Sequence, residues 1–482
     1  MRASSSVPLP VRALAAASVT GALACAGALV GAAPATAASS APPTTLAGGT
    51  AATTTVCGAS RRVQRVAVGA PLRLTVAPAR TARTRAARTG SAVVVERCQG
   101  GVWKPLRTVK LGARRRTMSA AIGTSVEATG DLRIRTRAGR HGPAVYARIG
   151  VGEIVDVPVS FQVVNRNRTA IPCLGAPDGR TYTVRGTLVA PRAALDAANP
   201  AVALYLHGLG YSSAFFRFRD VPGYDYGLQQ ARAGHASVTV DRLGNPARDD
   251  LPDGNATCIP AQADMADQVV RGLRAGDVTG RVGRDAVPSF RRVVLAGHSL
   301  GGFITQVAQY SFGSADAIAV ISHTDVPSPT ALTAFADAGA ACVATPQRSR
   351  DTAGSPGYAA FGRTDDDFAR QHFFDIDPAV ARATIARRNR DPCGDLLSAL
   401  QALAVDQVAT RTSITAPVLV ISGSNDALFT PPTNALQANT AYPRSREVRL
   451  VELPRTGHAV TLGRTHEDFR RSMDEWLRDQ GA

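Results

Sequence analysis

The chain has 482 residues, 45% hydrophobic and 19% charged, with a formal net charge of +18. That length exceeds what one small core organises, so two or more folded units are expected, and the ordinary apolar content excludes a disordered or collagen-like chain. Beyond the N-terminal segment no run approaches the roughly 18 apolar residues that a membrane-crossing helix needs.

At the N-terminus Arg2 and Arg12 flank or precede an alanine-rich apolar stretch from about Ala13 to Ala33, followed by Ala35-Thr36-Ala37, a small-x-small cleavage pattern. These features predict a signal peptide over residues 1–37 and a secreted, extracellular bacterial protein that could remain associated with the cell wall. Cys25 lies inside the run without the leucine spacing of a lipid-attachment site. Residues 38–56, rich in Ala, Thr, Pro and Gly, show no periodicity and read as a flexible linker. The remaining six cysteines, Cys57, Cys98, Cys173, Cys258, Cys342 and Cys393, suit an oxidising compartment. Six cysteines allow 15 pairings; their distribution over the expected domains favours Cys57 with Cys98, Cys173 with Cys258, and Cys342 with Cys393.

Residues 57–155 show short alternating runs such as Leu72-Arg73-Leu74-Thr75-Val76, punctuated by Gly, Pro and Thr, and predict a small all-β, sandwich-like module. Within it, residues 57–150 carry 18 Arg and two Lys against Glu96, Glu127 and Asp131, a local charge of +17, whereas residues 151–482 sum to −1. Codon bias toward arginine would act on both parts equally, so the asymmetry points to an anionic partner of this module: cell-wall polymer, a membrane surface or an acidic substrate aggregate. A face of solvated arginines with no partner is the competing reading. Specific nucleic-acid binding is not expected, because the segment offers only Trp103 and Tyr146 and no basic and aromatic interleaving.

From about residue 160 to 482 strands alternate with helical segments, the pattern of a mostly parallel sheet covered on both faces. Expected strands are Thr181–Val189, Val202–Leu206, Ala236–Val240, Arg292–Ala296, Ala317–Ile321, Val418–Ile421 and Val448–Leu453, with helices over Gln262–Arg274 and Thr465–Arg478. Ligands of such sheets sit beyond the carboxyl ends of the strands. After the first parallel strand comes His207-Gly208-Leu209-Gly210-Tyr211, whose Leu209 amide is a candidate oxyanion donor. Asp241-Arg242-Leu243-Gly244 ends the next strand; Arg242 could meet an acidic substrate group or form a structural ion pair.

Gly297-His298-Ser299-Leu300-Gly301-Gly302 follows the apolar run Val293–Ala296 and precedes a helical segment. A serine between close-packed glycines at a strand-to-helix corner is a nucleophile elbow, with the Leu300 amide as second oxyanion donor. Ser422-Gly423-Ser424-Asn425-Asp426 puts Asp426 at a strand end as the triad acid, with Asp325 of Ser322-His323-Thr324-Asp325 as rival. Gly457-His458 supplies the general base. His466, in the final helix, is read as a surface residue. His207, Gly208, Gly210, His298, His323 and Arg242 are candidate pocket residues.

Taken together, Gly297–Gly302, His207–Gly210, Asp426 and Gly457-His458, in the order Ser, Asp, His, resemble the α/β-hydrolase family, in particular secreted actinobacterial members, over residues 160–482. The resemblance implies an α/β fold preceded by the β module, a cap or lid over residues 326–415, and ester hydrolysis by an esterase or lipase through an acyl-enzyme, with an ester or lipid small molecule as substrate. No metal or organic cofactor is required. Phe361, Phe368, Phe373 and Phe374 are candidate cap walls; Asp365-Asp366-Asp367 reads as a helix start rather than a calcium loop. Acyl transfer to a cell-envelope lipid or glycan, and a non-catalytic surface-binding role, are the alternatives. The oligomeric state and the natural substrate are not specified by these motifs.

Overall fold

A computed structural model describes residues 153–482 apart from 174, 176, 246–250, 345–355 and 407–412. N-terminal to these it describes residues 44–150 apart from 48–49, 68–71, 77–91, 100, 115–116, 123–129 and 137–143. The expected signal peptide lies outside the described residues.

The N-terminal region is all β. Its strands are β1 (Thr44–Ala47), β2 (Thr50–Val56), β3 (Ala59–Ala67), β4 (Leu72–Val76), β5 (Ala92–Gln99), β6 (Val102–Lys110), β7 (Gly112–Arg114), β8 (Thr117–Ile122), β9 (Gly130–Thr136) and β10 (Val145–Gly150). They form a four-stranded sheet, β1-β4-β8-β7, and a six-stranded sheet, β2-β3-β10-β9-β5-β6. Alternation does the work here: Leu72, Leu74 and Val76 face Val93, Val95, Leu132 and Ile134 in one core, while the intervening arginines stay outside. The 38–56 stretch read as a linker is corrected over its described part. Thr50–Val56 pairs antiparallel with Ala59–Ala67 across Cys57-Gly58, because its threonines suit a half-buried strand despite the low-complexity composition.

A third, larger sheet has eight strands among the described residues: β11 (Ile154–Val164), β12 (Thr181–Pro191), β13 (Ala201–Leu206), β14 (Ser237–Val240), β15 (Arg292–His298), β16 (Ala317–Ile321), β17 (Val418–Gly423) and β18 (Val448–Leu453). Their order is β11-β12-β14-β13-β15-β16-β17-β18. β11, β12 and β14 pair antiparallel in turn, and every later pair is parallel. The expected boundary near 155–160 is therefore too late. β11 begins at Ile154 and pairs over its whole length with β12, a long edge hairpin whose alternating pattern resembles the preceding module's strands.

Central strands are buried on both faces, so successive residues enter different cores. Val202, Leu204 and Leu206 of β13 pack on one side with α2 (Ile259–Ala275) and α3 (Leu300–Phe312), whereas Ala203 and Tyr205 pack on the other with α1 (Tyr226–Ala233) and the final helix, His466–Asp479. Between β16 and β17 the described residues of an insertion form four helices, α4 (Pro329–Ala344), α5 (Asp365–His372), α6 (Pro378–Ala386) and α7 (Cys393–Val405). Asp365-Asp366-Asp367 forms the first turn of α5 behind the Thr364 cap, where acidic side chains complement the helix dipole. The chain pairs Cys57 with Cys98, Cys173 with Cys258, and Cys342 with Cys393, at Cα separations of 5.6, 5.9 and 5.7 Å.

Candidate active site

Ser299 stands at the corner between β15 and α3 with φ 54° and ψ −121°, a conformation that an L-residue adopts only under constraint. The constraint is steric. A Cβ on Gly297 would fall 1.9 Å from the Gly301 carbonyl oxygen, and one on Gly301 would fall 2.3 Å from that of Leu206. Only a chain without side chains at both positions can turn this tightly, and the turn presents the serine at the end of the sheet. Leu300 is the first residue of α3, so its N–H has no acceptor within the helix and remains for a ligand.

The second donor segment, His207 to Tyr211, leaves β13 beside the elbow. A Cβ on Gly208 would lie 2.8 Å from the Ser299 Cβ, which shows how closely the turn approaches Ser299. Glycine here permits that approach rather than lining a pocket. His207 is fully buried: its Nδ1–H donates to the Gly208 carbonyl at 2.9 Å and its Nε2 accepts the Arg242 N–H at 3.2 Å. Burial, with the Arg242 charge nearby, holds its pKa well below the ordinary histidine value. The expectation that His207 and Arg242 line the pocket is thus corrected. Arg242 is 1% exposed and pairs with Asp395 of α7 at 2.7 Å, so the structural ion pair is the reading that holds.

His458 follows β18. Its Nδ1–H donates to Asp426 Oδ2 at 2.8 Å, while Asp426 Oδ1 accepts the N–H groups of Leu428 and Phe429 at 2.9 and 3.0 Å. A carboxylate held this way fixes the imidazole tautomer and leaves Nε2 as a base. Nε2 is buried without a hydrogen-bond partner. Catalytic contacts of this kind often close fully only around substrate. Asp325, the rival acid, is engaged elsewhere: its Oδ1 accepts Gln306 Nε2–H at 2.9 Å and lies 3.6 Å from His323 Nε2.

Two further imidazoles flank His458. His298 stacks on Phe215 and donates Nε2–H to the His458 carbonyl at 2.9 Å, bracing the loop from behind instead of lining the pocket. His372, at the end of α5, lies with its ring centre 5.1 Å from that of His458 and its Nδ1 3.0 Å from the Tyr211 hydroxyl; its carbonyl accepts the Ala459 N–H at 3.0 Å. Burial foremost, and then the His458 charge, push both pKa values well below the ordinary range, so both flanking rings are neutral. His466 opens the final helix half-buried against Tyr224, with ring centres 4.1 Å apart.

A small cavity of about 30 Å³ opens on Ser299. Phe303, His323 and Phe429 wall it from the sheet side, and Phe335, Leu400 and Leu403 from the insertion. His323, expected in the pocket, is there, stacked on Phe303, with neither ring nitrogen in a hydrogen bond and Nε2 3.6 Å from Asp325 Oδ1. The four phenylalanines expected as cap walls are not among the residues that line this cavity; Phe368 packs on Gly210 and Phe374 is 40% exposed. Sequence reasoning also missed His372, Asn389, Asp391 and Asp395, which lie in the insertion outside any recognisable motif. Among the described residues no group of His, Cys, Asp or Glu is arranged to hold a metal.

A mostly parallel eight-stranded sheet with a strained serine at a strand-to-helix corner is the architecture of the alpha/beta hydrolase fold. The chain belongs to the alpha/beta hydrolase family, whose profile matches residues 203–471, more than half its length. No curated protein matches it. Among solved structures it is similar to a thermophilic esterase from Thermogutta terrifontis at 15% identity, covering 67% of this chain and 100% of that one with a TM-score of 0.45. A carboxylesterase from Bacillus subtilis is 15% identical over 65% of this chain and 90% of that one, TM-score 0.39. An enol-lactonase from Burkholderia xenovorans is 15% identical over 62% and 97%, TM-score 0.40.

Proposed function

We propose that the protein is an exported serine hydrolase that cleaves carboxylic esters through an acyl-enzyme. The observation that carries this reading is the Asp426–His458 hydrogen bond beside a serine held at positive φ. In the proposed cycle His458 Nε2 takes the Ser299 proton as Oγ attacks the ester carbonyl, and the developing oxyanion is met by the N–H groups of Leu209 and Leu300. The proton passes to the departing alcohol, and water repeats the sequence to release the acid. Asp426 holds the tautomer and stabilises the imidazolium. Three disulfides support passage through an oxidising compartment.

Among the described residues the cavity on Ser299 holds about one or two water-sized groups, which supports short acyl chains over the long chains of lipase substrates. Hydrolysis of p-nitrophenyl esters from acetate to palmitate, by the mature protein and Ser299→Ala, tests the reading. Turnover is expected on the shortest members and lost in the variant; no turnover on any ester, or equal turnover in both proteins, would overturn it.

A further inference from the structure

The turn that carries the Leu209 amide is held from outside the sheet. Gly210 has a φ of +73°, and a Cβ there would meet the Phe368 ring at 2.7 Å, so this peptide is set by glycine against the insertion. Three hydrogen bonds then tie it to residues 389–391. Gly210 N–H donates to Asp391 Oδ2 at 2.7 Å, Asn389 N–H donates to the Gly210 carbonyl at 3.0 Å, and Asn389 Nδ2–H donates to the Tyr211 carbonyl at 3.1 Å. The peptide between Leu209 and Gly210 is thereby fixed in rotation, and with it the direction of the adjoining Leu209 N–H.

Asp391 is an expensive way to make that bond. Its carboxyl is completely buried, its Oδ1 has no hydrogen-bond partner, and Arg242, already paired with Asp395, lies 3.8 Å away. Buried ionisable groups commonly cost more than well-packed apolar replacements. Its direct partner is the backbone of the oxyanion turn.

We propose that Asp391 and Asn389 are positioning residues that set the oxyanion donor, so that the site is assembled only while the insertion is docked on the turn. This rests on the serine-hydrolase reading for its effect on rate, but not for its effect on the turn. The full-length protein is compared with Asp391→Ala, Asp391→Asn and Asn389→Ala in two ways: hydrogen exchange of the peptide spanning residues 204–212, and kcat and KM on p-nitrophenyl acetate.

The alanine variants should exchange faster in that peptide and lose about tenfold in kcat with KM within twofold, less than the 10²–10³ of deleting a donor outright. Asp391→Asn keeps an acceptor for the Gly210 N–H and should stay within about threefold of wild type. Wild-type exchange in both alanine variants, or an equal loss in Asp391→Asn and Asp391→Ala, would overturn the proposal. Should Asp391→Ala not fold, Asn389→Ala decides by the same readouts. Should the wild type cleave no ester, the exchange result stands alone and the esterase reading falls separately.

Discussion

At the scale of single residues, the decisive fact is how little freedom surrounds Ser299. Gly297 and Gly301 are required by contacts near 2 Å, so Gly297→Ala should fail to fold or lose the elbow, read as loss of soluble protein or of all esterase activity. The two aspartates separate by role. Asp426→Asn should lower kcat by about 10³–10⁴ through loss of the tautomer, with the melting temperature little changed. Asp325→Asn should keep kcat within a few-fold, because the His458 Nδ1 bond is made to Asp426 and Asp325 Oδ1 accepts from Gln306. A larger kcat loss in Asp325→Asn would reverse the assignment. The elbow, the strand-end acid and the Gly-His loop were legible because each is a short local pattern at a strand end. His372 and Asp391 were not, since their relation to the site is made only by the packing of the insertion.

The element that matters most is that insertion. Phe335 of α4 and Leu403 of α7 close the cavity on Ser299, so Phe335→Ala should move the acyl optimum by two or more carbons along the p-nitrophenyl series; an unchanged optimum would show that the wall lies elsewhere. The same element carries a pH dependence. Burial above all pushes the Asp391 carboxyl up to about 8, despite the opposing Arg242 charge, and raises Asp395 as well. The folded state therefore holds a proton on Asp391 that the unfolded chain releases near pH 4. The Asp391 contribution is fully present below about pH 4 and is lost as pH rises toward 8, at most about 1.4 kcal/mol per pH unit in that window. Denaturant midpoints at pH 5 and pH 8 should differ less in Asp391→Asn than in wild type; an equal difference would remove Asp391 as its source.

At the scale of the whole molecule, the charge is carried by one end. On the outer side of the six-stranded sheet Arg61 lies over Tyr146, Arg133 over Trp103, and the two rings meet at 5.9 Å. Basic and aromatic side chains are therefore brought together there, contrary to the expectation from the linear sequence, with the ring faces already covered by guanidinium groups. We propose that this region contacts an anionic cell-wall or membrane surface. Retention of the protein on anionic cell-wall material should fall steeply between about 0.05 and 0.5 M salt, as screening shortens the Debye length; salt-independent retention would remove the electrostatic explanation.

What the sequence by itself determined is whatever depends on neighbours along the chain. This covers the alternating strands of the β region, the doubly buried runs of the parallel sheet, and the elbow glycines with the Ser, Asp, His order. The pairing of six cysteines also followed from their distribution. What only the tertiary structure decided depends on elements far apart in sequence: that Thr50–Val56 is a strand, that Arg242 is held by Asp395 from the insertion, that His298 braces the His458 loop, and that residues 389–391 hold the turn beside Ser299. Local patterns specify backbone geometry because steric and hydrophobic rules act within a few residues. The partners of a buried polar group are chosen by which distant segments pack around it.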